Sequence, residues 1–117
     1  MLPNVYAALR ASPAVVGKVA TRIYRHGAAP QGVLRPYITW HLAGGSAENG
    51  FDGAAADVFR IAVDCWHDED AGVEVLARDA RDAIEPHAHL VGYTADERDP
   101  ETQRYRIGMA FDWIASR

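Results

Sequence analysis

The chain holds five histidines and a single cysteine in 117 residues, and metal binding or nucleophilic chemistry would have to start from these. His87-Ala88-His89 reads as two histidines on one face of a strand, because strand side chains alternate with a period of two. A structural zinc site takes four ligands and a catalytic one about three. No spacing in the sequence brings a third ligand to this pair. The turn His67-Asp68-Glu69-Asp70 gathers carboxylates but lacks the glycine and the distal bidentate glutamate of a calcium loop. Capping of a following helix, with Asp68 as the cap, explains it better. Cys65 falls on the apolar side of an alternating run and reads as a small core residue, since a reactive thiol needs exposure and an electropositive setting. Gly44-Gly45 leads into more loop and not into a helix N-terminus, which argues against a phosphate cradle. Neither a Gly-x-Ser-x-Gly elbow nor a Cys/His/Asn signature occurs. The sequence thus assigns no catalytic residue, no cofactor and no metal.

The elements that would position any site centre on residues 56–85. Phe59, Ile61, Val63 and Cys65 alternate with Arg60, Ala62 and Asp64, the mark of a strand with one buried face. The period then changes: Val73, Leu76, Ala77, Ala80 and Ile84 recur at helical spacing, and Pro86 ends the run. Upstream, Asn4 and Ser12-Pro13 start two short helices, the first with Val5, Ala8 and Leu9 facing inward and the second running through Val15, Val16 and Val19. Arg22–Arg25 reads as a short edge strand and residues 26–35 as a surface loop. A strand follows at Tyr37–Leu42. Residues 43–55, rich in glycine, read as a loop too long and flexible for a tight hairpin. Two more strands are expected at about His87–Thr94 and Gln103–Ile114, separated by a charged turn from Asp96 to Glu101. The last alternates, with Tyr105, Ile107, Met109, Phe111 and Trp113 on one face and Arg106, Gly108, Ala110 and Asp112 on the other. Loops this short imply antiparallel pairing. The expected fold is α+β in a single domain, residues 1–117: short N-terminal helices and an antiparallel sheet of about four strands, with one amphipathic helix packed on one face.

Composition narrows the function classes. A net charge of −4 gives no footprint for binding nucleic acid by phosphate neutralisation. No stretch is apolar enough to cross a membrane as a helix, and the opening residues lack the basic flank and apolar run of a signal peptide. One cysteine allows no internal disulfide, which fits a reducing cytoplasm. Trp40, Trp66 and Trp113 lie near strand ends and supply more aromatic surface than one helix covers. Two readings stand side by side: they complete the core, or some of them pack on a neighbouring subunit, where aromatic residues are enriched. Phe51, a lone large apolar residue in the glycine-rich loop, reads as an anchor for a surface.

The ordered set of features resembles the phage tail-completion proteins, a small α/β family of siphophages, prophages and gene transfer agents that is similar to tail terminators. The residues that carry the likeness are Val5–Val15, Arg22-Ile23-Tyr24, Ala29–Gly32, Arg35–Ile38, the polar loop ending in Phe51-Asp52-Gly53, Arg60–Trp66 and Pro100–Arg106. The resemblance implies a structural virion protein and no enzyme. It implies a homo-oligomeric ring, a hexamer, that caps the tail tube and joins it to a head-side connector or adaptor protein. DNA would pass through its lumen without specific binding, and no membrane would be involved. The expected location is the head–tail interface of the virion, after assembly in the host bacterial cytoplasm. Candidate contacts with a neighbouring subunit or the tube are Gly44, Gly45, Glu48, Asn49, Phe51, Asp52, Trp66, Asp96, Arg98 and Glu101. The competing expectation is a small dimeric enzyme or ligand-binding domain. It would have a pocket between helix and sheet, with His41, His67, His87 and His89 as its polar groups.

Overall fold

A computed structural model of the chain describes residues 1–25, 28–50 and 53–116. Three helices, α1 (Val5–Arg10), α2 (Pro13–Val19) and α3 (Asp70–Ile84), lie on one face of a five-stranded sheet. The strands are β1 (Ile23–Arg25), β2 (Tyr37–Gly50), β3 (Gly53–His67), β4 (His89–Arg98) and β5 (Tyr105–Ser116), in the order β1-β2-β3-β5-β4. The class is the α+β arrangement expected, with one strand more than the approximate count. The sheet is mixed and not purely antiparallel, because β1 runs parallel to β2, with Ile23 opposite Ile38. Parallel neighbours need a crossover, and the connection through residues 28–36 is long enough to return the chain to the starting end of β1.

The capping residues act where they were expected. The Ala7 amide donates to Asn4 Oδ1 at 3.0 Å and the Val15 amide to Ser12 Oγ at 3.3 Å. Helix α3 starts differently. Asp68 does not cap it but pairs with Arg35. The N-cap is Glu69, whose amide donates to His67 Nδ1 at 2.9 Å. The His67 ring lies against the first turn, so close to Gly72 that a Cβ there would sit 2.2 Å from it. No side chain caps the first helical amides, and the imidazole at the end of the preceding strand instead fixes the Glu69 backbone where the helix starts.

The core lies between the helices and the helix-side residues of the central strands. Phe59, Ile61, Val63 and Cys65 of β3 face Trp113, Phe111, Met109 and Ile107 of β5, in the order of the ladder. Ile38 of β2 completes the sheet's contribution, and Val73, Leu76, Ala77, Ala80 and Ile84 of α3 pack down on it. Leu76, Ile84, Val63 and Phe111 are fully buried. Each such side chain withdrawn from water contributes roughly 1.5–3 kcal/mol.

Residues 43–55 overturn the loop expectation. Strands β2 and β3 continue their pairing to Gly50 opposite Gly53, forming a long hairpin that projects past the helices. The molecule accordingly measures 52 × 28 × 24 Å. Ala43 to Glu48 are exposed on both sides of the ladder. A strand that buries neither face has no alternation to show, and this segment therefore looks like loop in the sequence. A register shift between Leu42 and Gly44 bends the strand as it leaves the body. Gly45 follows with φ of 153°, and a Cβ there would meet the Val58 carbonyl oxygen at 2.3 Å. The shared end of the sheet is further along than expected: β4 begins at His89, not His87, and runs to Arg98, while β5 runs from Tyr105 to Ser116.

Candidate functional site

The sheet face turned away from the helices carries a set of interlocked polar and aromatic side chains. Strand register brings Tyr37, Thr39 and His41 of β2 beside Trp66, Asp64 and Ala62 of β3, then Arg106, Gly108 and Ala110 of β5. Trp66 stacks on Tyr37 with ring centroids 5.7 Å apart and planes 7° from parallel, and its Nε1 donates to Thr39 Oγ1 at 3.1 Å. Arg106 lies over the Trp66 ring at 5.5 Å, with Nη1 3.3 Å from Asp64 Oδ1 and Nη2 2.7 Å from Glu97 Oε1. Further out, Arg60 grips both oxygens of Asp112, each at 2.9 Å. Such two-pronged pairs fix planar geometry. Gly108 leaves the space into which Asp64 folds, since a Cβ there would come 2.7 Å from Asp64 Oδ1.

The electrostatics of this face follow from that packing. Burial pushes the Asp64 carboxyl above the usual carboxylate range, although Arg106 and His41 pull it the other way. Arg60 holds Asp112 below that range by hydrogen bond and charge. On the opposite face, burial pushes the Cys65 thiol far up, as expected of a core cysteine. The acids and bases described here pair with one another across three strands, which ties the side chains of this face into one plate.

A second surface is a groove of about 630 Å³ between α3 and β4, floored by Ala71, Val75, Tyr93 and Ile107 and rimmed by Glu74, Arg78, Arg81 and Asp96. None of the histidines of the enzyme reading lines it. His87 is not a strand residue; its ring stacks on Trp113 at 5.8 Å. His89 opens β4 opposite Asp112, and His67 accepts from the Glu69 amide at the start of α3. The expected pair on one strand face is therefore absent. Among the described residues, no group of three or more His, Cys, Asp or Glu side chains is arranged to hold a metal ion.

Residues 3–116 match the family described as "Tail completion protein gp17". The chain belongs to that family. The tail completion chain is also similar in fold to a component of a solved structure titled "Virion of native gene transfer agent (GTA) particle". The TM-score is 0.73 at 22% identity, over 97% of this chain and 92% of that one. No curated protein matches the chain. As a tail completion protein, it is a structural component of the virion tail, which is the coarse role its resemblance implied.

The sequence-derived contact candidates of this tail completion protein fall in three places. Gly44, Gly45, Glu48 and Asn49 lie on the outer half of β2. Trp66 sits in the open-face plate. Asp96 and Arg98 lie on β4, and Glu101 follows in the turn where its amide donates to Asp99 Oδ1 at 2.9 Å. Phe51 and Asp52 lie outside the described residues. The three tryptophans divide: Trp40 and Trp113 are partly buried against the core, while Trp66 faces away from it. Sequence reasoning missed Arg60, Asp64, Arg106 and Asp112 as a linked set. Alternation put them on the outer face, but only strand register shows which pairs meet.

Proposed function

We propose that this protein is a ring-forming subunit that ends the tail tube and joins it to the head-side connector. One observation supports this reading above the others. The β2–β3 hairpin projects from the body with Ala43 to Glu48 exposed on both sides of the ladder, within a tail completion fold. Here β3 still pairs with β5 as far as Ala56 opposite Ser116, but β2 is an edge strand, since β1 pairs only with Ile38–Trp40. An exposed edge presents unpaired backbone groups, and a subunit contact would cover it. The ring is hexameric, its neighbours are the tail tube protein and a head-side connector or adaptor, and DNA passes through the lumen without specific contacts. An acidic chain suits such passage, because it does not grip phosphate.

Light scattering on the purified protein, followed by negative-stain imaging of the main peak, tests the assembly. Six copies of 12.8 kDa give a ring of roughly 77 kDa. A species that stays monomeric both alone and with purified tail tubes would overturn the ring reading.

A further inference from the structure

The charges of the chain are segregated along the sequence, and the fold turns that segregation into two opposed edges. The first 47 residues contain Arg10, Lys18, Arg22, Arg25 and Arg35 and no carboxylate. Residues 68–101 contain eleven carboxylates against Arg78, Arg81 and Arg98. Strand β1 closes one side of the sheet and β4 the other, so Arg25 and Asp96 end up at opposite edges, while α3 between them meets the basic segment through Asp79.

Internal pairing leaves much of this charge uncompensated. Lys18 meets Asp79, and Arg35 meets Asp68. Arg10, Arg22 and Arg25 form no ion pair among the described residues. Arg10 donates to the Ala20 carbonyl, Arg22 to the Pro36 and Lys18 carbonyls, and Arg25 lies over the Trp40 ring at 5.5 Å. At the other edge, the rim of the α3–β4 groove holds Arg78 and Arg81, but Arg78 meets Asp79 and Arg81 meets both Asp82 and Glu85. Glu74 and Asp96, exposed on the same rim, form no ion pair among the described residues, so the edge keeps an acidic surplus. Val91 and Tyr93 of β4 are 45% and 60% exposed beside them. A ten-residue edge strand with exposed apolar side chains is a template for pairing with another chain unless something covers it.

We infer that the basic β1 edge of one copy docks on the acidic β4–α3 edge of the next, and that this is the head-to-tail contact of the assembly. The inference rests on the ring reading above. A ring built by rotation needs two different, mutually complementary patches on each subunit. These two edges differ, lie on opposite sides of the sheet, and carry opposite charge. Opposite potentials steer the encounter and fix its orientation, while like edges repel, which selects head-to-tail contact over a two-fold one.

Two charge-reversed proteins test this. One carries Arg10→Glu with Arg25→Glu, the other Glu74→Lys with Asp96→Lys; circular dichroism and melting confirm that each is folded. Sedimentation velocity should show self-association weakened at least about tenfold in each alone, since both of its edges then carry one sign. Mixing the two in equal amounts should restore assembly, with the subunits alternating. Raising the ionic strength should weaken the wild-type contact. Variants that form rings as readily as wild type, or a mixture no better than its parts, would overturn the edge contact while leaving the ring reading intact. A wild-type chain that does not self-associate under any condition, tail tubes included, would remove both.

Discussion

Asp64 is the residue at which this fold accepts an electrostatic cost. It sits in the open-face plate under Arg106, with His41 and Glu97 nearby, and burial raises its carboxyl above the ordinary value. An acid whose folded-state value is raised destabilises the fold once ionised. Its contribution is most favourable below the unfolded value near 3.8 and is lost as pH rises through the raised one. Asp64→Asn imitates the protonated acid and keeps an oxygen for Arg106. The variant should melt slightly higher than wild type at neutral pH, and the difference should vanish as the pH falls below that unfolded value. A lower melting temperature at neutral pH would show that the Arg106 pair outweighs desolvation. Asp112 behaves in the opposite sense. Arg60 lowers it, so its contribution is present at neutral pH and lost on acidification. The sequence showed that Asp64 and Asp112 point away from the core. It did not show their partners, because Arg106 lies far along the chain and meets Asp64 only through the β3–β5 register.

The elements divide into those whose sequence announces them and those held by pairing alone. Helix α3 belongs to the first kind. Its apolar stripe, its length and Pro86 are all readable, and Leu76 at its centre is fully buried. Leu76→Ala should cost about 2–5 kcal/mol in urea denaturation, from lost transfer energy and the cavity left behind. The neighbouring exposed Glu74→Ala should change stability by less than about 0.5 kcal/mol. The outer half of β2 belongs to the second kind, since small and polar residues exposed on both faces leave nothing periodic to read. There the requirement is steric. Gly45→Ala places a methyl against the Val58 carbonyl and forces a backbone angle that side chains disfavour. The arm should tilt or fray, at a cost of about 1–3 kcal/mol in the backbone around the bulge. If Gly45→Ala melts like wild type and assembles normally, the arm geometry is not set at this position. The parallel β1–β2 pairing was hidden for another reason: strand direction depends on the path of a connection, which composition does not encode.

At the scale of the whole molecule, a dense body is continued by an arm whose outer strand, residues 43–48 of β2, is an exposed edge paired only with β3. The body holds the buried side chains of α3, β3 and β5, whereas the arm has its ladder and little else. Stability should therefore be uneven, because local opening is cheapest where few apolar contacts are lost. In the free subunit, amides of residues 61–65 and 107–111 should exchange with solvent only through global unfolding. Those of residues 43–48 should exchange orders of magnitude faster despite their ladder bonds. On assembly, the arm and residues 91–96 of β4 should both gain protection, since the ring reading places the first at a contact and the charge segregation places the second there. Protection gained at β4 alone would keep the edge contact and leave the arm free for the tail tube or connector. Protection gained at the arm alone would leave β4 an open edge, and the acidic side of the molecule would then face some other partner in the tail. Because exchange reads each strand separately, this measurement distinguishes which of the two opposed surfaces carries the subunit contact.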